Sequence, residues 1–89
     1  MPDILNKTDS RVTALTEVKA GRVTYNPRLS EYLVEDEGGG RESARGARRR
    51  TYAELRTAGI VESTSLTDPS LVRLTNLGET IADEWGLVD

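Results

Sequence analysis

The sequence predicts a single α+β domain of three helices and several short strands. Apolar residues recur at helical spacing in three segments: 10–20, 43–58 and 76–85. Between these segments, apolar and polar residues alternate over short stretches, as they do in strands. Gly21 and Gly59 follow the first two helical segments, where a left-handed residue commonly ends a helix. At 89 residues the chain accommodates one domain, which we place at 10–89 after a flexible N-terminus at 1–9.

The region between the first two helices begins with the alternating stretch RVTYN, which predicts a strand, followed by the turn NPRLS. Two assignments stand for the next stretch, EYLVEDE. As a strand, it places Tyr32 and Val34 on one face and forms a hairpin with RVTYN. As a helix, its apolar stripe is Leu29, Tyr32 and Leu33. Gly38–Gly40 ends either element and is expected to be a flexible connection without chemistry of its own.

The segment 43–58 predicts one long helix that begins with Ser43 as its N-cap and ends before Gly59. Gly46 is unfavourable in the first turn of such a helix, so a later start at Ala47 is the alternative. A helix turns by about 100° per residue. At that spacing the side chains of one narrow face pack inward: Ala44, Ala47, Thr51, Leu55 and Ala58.

Arginines occupy the other sides of this predicted helix. One row, within about 40° on the helical wheel, contains Arg45, Arg49 and Arg56, with Tyr52 beside it. Arg48 and Arg50 lie on opposite flanks, and Arg41 lies in the approach to the helix. Six arginines and two glutamates give residues 41–58 a charge of +4. Because the net charge of the whole chain is −3, the remaining residues together carry −7. This asymmetry indicates a basic face on an acidic protein.

The C-terminal third predicts a two-stranded hairpin followed by a helix. The stretch IVEST forms the first strand and LVRLT the second, with Val72 and Leu74 facing the core. The final helix presents an apolar row of Leu77, Ile81 and Trp85.

The stretch YAELRTAGIVE and the later LVRLTNLGETIADEW resemble the C-terminal half of a winged helix–turn–helix domain. The residues that match the pattern of that family are Leu55, Gly59, Ile60, Val61, Leu74, Thr75 and Gly78. TEVKAGRV is similar to the helix-to-strand entry of small actinobacterial and phage members. The resemblance implies an α+β winged-helix fold, with three helices, a C-terminal two-stranded wing and an optional N-terminal hairpin. As a tendency of the family, it also implies DNA binding by a small bacterial or phage transcriptional regulator.

The basic face and the resemblance both predict double-stranded DNA as the partner, with the arginine-rich helix in the major groove. A guanidinium group pairs bidentately with phosphate or with a guanine edge. We assign the base-facing contacts to Arg45, Arg49 and Arg56 with the neighbouring Tyr52, and the phosphate contacts to Arg41, Arg48 and Arg50. A homodimer formed by the first or last helix would match a palindromic site.

Two features of the sequence weigh against DNA. The predicted wing turn contains no Lys or Arg and carries Asp68, and the acidic remainder weakens attraction to phosphates. The alternatives are a protein-interaction module that binds an acidic partner, an RNA-binding arginine helix, and a solvated face. In the last case the arginines pair with the acidic residues Glu35, Asp36 and Glu37.

The composition excludes several classes of function. The chain has no Cys and no His, which argues against a zinc site, a Ser–His triad or Cys–His chemistry. We therefore expect a protein that is not an enzyme and needs no cofactor or metal. The lack of cysteine fits a reducing cytoplasm, and no apolar run approaches the roughly 18 residues of a membrane span.

Overall fold

The computed structural model describes residues 6–36 and 38–87. Within these residues three helices and five strands follow one another along the chain: α1 (Asp9–Lys19), β1 (Val23–Asn26), β2 (Glu31–Glu35), β3 (Arg41–Ser43), α2 (Ala47–Thr57), β4 (Val61–Ser63), β5 (Ser70–Leu74) and α3 (Asn76–Glu84). The strands form one antiparallel sheet in the order β3-β2-β1-β5-β4.

The two faces of the sheet differ in polarity because side chains alternate along each strand. The inner face is apolar and buried, and its strand residues are Val23, Tyr25, Tyr32, Val34, Val61 and Val72. α1 and α2 contact each other and cover this face, with Leu15 of α1 and Leu55 of α2 both fully buried. α3 packs at the β5 side and adds Ile81 to the same core.

The predicted winged-helix architecture is wrong in its sheet. Three helices are present, but the C-terminal hairpin of β4 and β5 is not a separate two-stranded wing. β5 pairs with β1, at Thr24 with Leu71 and at Tyr25 with Ser70, and this pairing extends the hairpin into the five-stranded sheet. Three strands also separate α1 from α2, so α2 is not preceded by a helix and a turn.

The strand assignment of residues 31–35 is confirmed. β2 pairs with β1 in antiparallel register, with Val23 opposite Val34 and Tyr25 opposite Tyr32. Tyr32 and Val34 share the buried face, and Leu29 is exposed in the turn between the strands. Apolar burial on one side of the hairpin therefore favours the strand over the helix.

α2 begins at Ala47, the later of the two predicted starts, and the start with Ser43 as its N-cap is wrong. Ser43 is the last residue of β3 and pairs with Leu33 of β2, because the edge of β2 offers backbone partners to residues 41–43. Gly46 then has a φ of 60°, a conformation that favours glycine, and it stands at the N-cap of α2 without a side-chain hydrogen bond. Ala44 is buried as predicted, but Ala47 is exposed.

Gly38–Gly40 belongs to the turn between β2 and β3, with Glu37 outside the described residues. The Asp36 carboxylate accepts hydrogen bonds from the backbone N–H groups of Gly38 and Gly40, each at 2.9 Å. The Asp36 N–H donates to the Gly40 carbonyl at 2.8 Å. The predicted flexible connection is therefore a hydrogen-bonded turn.

Residues of the family-like motif form the junction between the end of α2 and the start of α3. The Thr75 side chain accepts from the Gly78 N–H at 3.1 Å and so caps α3, and the Thr75 N–H donates to the Ile60 carbonyl at 3.0 Å. A Cβ atom on Gly78 would lie 2.0 Å from the Ile60 carbonyl oxygen. This contact requires glycine at position 78.

We predict that Gly78→Ala lowers the free energy of unfolding by about 3 kcal/mol. The new methyl group would overlap the backbone carbonyl of Ile60, which the hydrogen bond from the Thr75 N–H holds in place. Urea unfolding followed by circular dichroism measures the change. Thr80→Ala, at an exposed position of the same helix, is the control and should stay within about 0.5 kcal/mol of the parent. A Gly78→Ala protein as stable as this control would contradict the close approach.

Candidate nucleic-acid interface

Three tyrosines fix α2 against the sheet. Tyr25 of β1 and Tyr32 of β2 have ring centroids 4.6 Å apart, and Tyr52 of α2 stacks on Tyr32 at 5.3 Å. All three side chains are buried, Tyr52 completely. Stacked aromatic pairs add roughly 0.5–1.5 kcal/mol beyond the area that they bury. The cluster therefore determines which side of α2 faces the core.

Arg56, in the last turn of α2, lies over this cluster. Its guanidinium carbon is 4.3 Å from the centroid of the Tyr25 ring, a cation–π arrangement. Burial raises the pKa of the Tyr32 hydroxyl, and the nearby Arg56 charge opposes part of that rise. Partial burial alone would lower the pKa of Arg56, but its contacts with Tyr25 and Tyr32 raise it overall. Arg56 is thus a permanently charged group held at the edge of the helix.

Arg49 connects α2 to the turn between β1 and β2. Its Nε and Nη2 atoms donate to the Ser30 carbonyl at 3.3 and 3.1 Å. Ser30 has a φ of 48°, in the left-handed region that non-glycine residues seldom adopt. Arg49 therefore holds this turn beside the first half of α2.

Between α2 and the first hairpin lies an open groove of about 480 Å³. Its lining combines arginines with the two strand tyrosines and small or hydroxyl-bearing residues: Tyr25, Ser30, Tyr32, Arg49, Arg50, Ala53, Arg56 and Thr57. The structure thus brings together Arg49, Arg50 and Arg56 of the predicted site residues.

Arg50, Ala53 and Thr57 form the outermost row of α2. At about 100° per residue they lie opposite the buried Thr51, Tyr52 and Leu55, and each of them is exposed. We call the surface made by this outermost row together with Arg49 and Arg56 the α2 outer face. Small side chains at 53 and 57 leave the helix backbone accessible next to Arg50.

The other predicted site residues lie elsewhere. Tyr52 is fully buried and contributes nothing to the surface. Arg48 points to the α1 side, where it lines a cavity with Thr13 and Ala14. Arg41 pairs with Glu35 in the ladder, on the sheet face opposite the helices. Arg45 precedes the helix, so the predicted row of Arg45, Arg49 and Arg56 does not exist.

Within the described residues, the acidic run forms no ion pair with the arginines of the α2 outer face. Asp36 is engaged by the backbone of its own turn, and Glu37 lies outside the described residues. In the ranges 6–36 and 38–87, the arginine ion pairs are Arg11 with Glu54 and Arg28 with Asp68, the latter at 3.4 Å. The single acid of α2, Glu54, is thus already paired by an arginine of α1.

Three residues that contribute to this surface were not among the predicted site residues. Tyr25 and Tyr32 form the floor of the groove, and the pairing of RVTYN with EYLVE, which puts them opposite each other, is the signal that reveals them. Arg28 is exposed on the turn that Arg49 holds, and its ion pair with Asp68 joins that turn to the β4–β5 turn.

Neither metal nor membrane binding is indicated within the described ranges. The acidic side chains there form no group of three or more that could hold a metal ion. None of the three helices combines the length and the apolarity that crossing a bilayer requires.

The Tyr52 hydroxyl is buried without a hydrogen-bond partner in the described part of the chain. Burial raises its pKa, and the nearby guanidinium of Arg48, which lies outside hydrogen-bond geometry, opposes part of that rise. Removing an unpaired buried hydroxyl relieves a desolvation cost, so we predict that Tyr52→Phe raises the free energy of unfolding by about 1 kcal/mol at neutral pH. Urea unfolding of parent and variant measures this change, and a loss of stability would show that the hydroxyl is bonded.

The same substitution should flatten the alkaline loss of stability. A tyrosine whose pKa is raised by folding binds its proton more tightly in the folded state. Its contribution is complete below the unfolded pKa of about 10 and is lost as pH rises through the folded value. We predict a smaller decrease above pH 10 for Tyr52→Phe than for the parent, with Tyr32 responsible for a remaining part. Equal decreases would contradict the burial of Tyr52.

Comparisons with known proteins do not indicate a function for the chain. No protein-family model matches the chain, and neither the curated proteins nor the solved structures contain a significant match. The likeness to winged-helix proteins therefore rests on the motif residues alone, and those residues form the junction of α2 with α3. What the chain does must be argued from the charge and shape of the α2 outer face.

Proposed function

We propose that the chain binds double-stranded DNA through the α2 outer face and acts in the cytoplasm as a small transcriptional regulator. The observation that carries the proposal is the exposed group of Arg49 and Arg50 beside Arg56. None of these three forms an ion pair with a carboxylate of the described residues. Closely spaced cations without counter-charges repel one another, and polyphosphate backbones relieve that repulsion.

The start of α2 supports the same partner. A helix N-terminus carries a partial positive charge, which acidic residues usually offset. The first turn of α2 contains no acid and no capping side chain, and two arginines occupy it instead, Arg48 and Arg49. An approaching phosphate would satisfy both the free backbone N–H groups and Arg49, which belongs to the α2 outer face.

The shape of the α2 outer face fits the groove of a DNA duplex better than it fits a flat partner surface. α2 is an 11-residue helix on one side of the molecule, and a single α-helix fits the major groove. Ala53 and Thr57 keep its outer row low, and the β1–β2 turn with Arg28 stands beside it. The helix can therefore approach base edges while the turn lies near a phosphate strand.

We predict that the protein binds mixed-sequence duplex DNA with an affinity that falls steeply between about 50 and 200 mM salt. Arg49→Gln and Arg50→Gln should each weaken binding, and each lost phosphate contact should reduce the slope of log K against log salt by about 1. Fluorescence anisotropy with a labelled duplex measures both quantities.

Arg73→Gln is the matched control, because it removes one exposed arginine from the opposite face of the sheet. We expect the affinity of this control to stay near that of the parent. Equal losses in the α2 variants and in Arg73→Gln would mean that net charge, and not the α2 outer face, determines binding. Binding that is absent at the lower salt concentration would contradict the proposed function.

The ion pair between Arg28 and Asp68 generates a second prediction. Both side chains are largely exposed, so the pair stabilises the fold little, but it occupies a cation that stands next to the α2 outer face. Asp68→Asn should release Arg28 and tighten DNA binding roughly threefold at low salt. Asp83→Asn, which removes an exposed acid from α3, controls for net charge. An identical gain in both variants would show that Arg28 takes no part.

A further inference from the structure

We propose that Arg50 is the residue that selects the DNA sequence, by donating to the edge of a guanine, whereas Arg49 and Arg56 hold phosphates. This inference rests on the proposed function and divides the α2 outer face into two roles. It differs from the assignment made on the sequence, which placed Arg50 among the phosphate contacts.

Arg50 points away from the core more directly than any other charged residue of the α2 outer face. It is the one charged residue of the outermost row, within about 35° of the direction that points straight away from the core. Arg49 and Glu54 lie about twice as far from that direction by the same geometry. The side chain of Arg50 therefore leads as α2 enters a groove, and its small neighbours Ala53 and Thr57 do not obstruct base edges.

The guanidinium group of Arg50 differs from those of Arg49 and Arg56 in having no partner in the described part of the chain. Arg49 is held by two hydrogen bonds to Ser30, and Arg56 is held over the Tyr25 ring. The side chain of Arg50, in contrast, has no hydrogen bond, ion pair or ring contact in the described part of the chain. Its full set of donors remains available for a bidentate contact.

An unpartnered guanidinium group is suited to the edge of a guanine. Its planar fork matches the paired O6 and N7 acceptors of guanine in the major groove, and such a contact discriminates against other bases by about 10-fold or more. Arg49 and Arg56 keep part of their donors and all of their charge while tethered at the flanks. Groups fixed in this way suit the phosphates that border a groove and carry no sequence information.

The test begins with selection of duplexes from a random-sequence pool by the full chain. The enriched duplex and a scrambled duplex of the same composition are then bound by the parent, Arg50→Ala, Arg50→Lys and Arg49→Ala. We expect the parent to enrich a motif that contains guanine, and Arg50→Ala to lose about 10-fold or more of the preference for it. Arg49→Ala should weaken binding to both duplexes alike and keep the preference, and Arg50→Lys should keep part of it.

A base analogue identifies the contact itself. With 7-deazaguanine at the implicated position, the parent should lose affinity and Arg50→Ala should not, because the missing N7 acceptor matters only to Arg50. Thermal unfolding of each variant verifies that the fold is retained.

Three results would overturn the inference. An enriched motif that Arg50→Ala still prefers would assign selection to another residue. Salt-dependent binding without any enriched motif would leave the proposed function standing and remove base selection. Absence of salt-dependent binding would contradict the proposed function itself.

Discussion

The packing of Tyr52 on Tyr32, which in turn packs against Tyr25, is the contact on which the rest of the structure depends. It joins α2 to the first two strands of the sheet at the centre of the core. Because Tyr52 faces inward, the spacing of residues along a helix places Arg50, Ala53 and Thr57 on the solvent side. The same rings provide the surface over which Arg56 is held. The hydrophobic interior and the charged exterior of this helix are therefore two results of one packing arrangement, and a change in the tyrosines would rotate the basic surface.

The charge of the α2 outer face is not needed for folding. Arg49 and Arg50 lie near the positive end of the helix, and the arginines of the outer face have no carboxylate partners within the described residues, an arrangement that costs stability. Residues placed against local energetics are often retained for binding, and here the ligand that would offset the cost is anionic. In the described part of the chain, arginines form ion pairs elsewhere, Arg11 with Glu54 and Arg28 with Asp68.

Local patterns in the sequence predicted much of the fold. Alternation in RVTYN predicted β1, and one of the two assignments of EYLVEDE predicted its hairpin with β2. The glycines at 21 and 59 predicted two helix ends with positive φ. What the patterns missed depends on long-range pairing. Residues 41–43 form a strand because the edge of β2 is available to them, and no property of RES itself favours a strand over the first turn of a helix. The addition of the C-terminal hairpin to β1 is likewise a tertiary contact. Because the helix starts at Ala47, Arg45 lies before it and the expected arginine row lost its first member. Tyr52 faces inward because it stacks on Tyr32 of β2, which is also a tertiary contact.

Mapping of the DNA-contacting surface by NMR tests the central claim most directly. Backbone amide shifts of the labelled protein are followed while an unlabelled duplex is added at low salt. The account predicts that shift changes concentrate in α2 and in the β1–β2 turn at residues 27–30, whereas Leu33, Leu71 and Arg73 on the opposite face of the sheet stay unchanged. Changes centred on that opposite face, with α2 unaffected, would show that the basic surface of α2 is not the one that meets DNA.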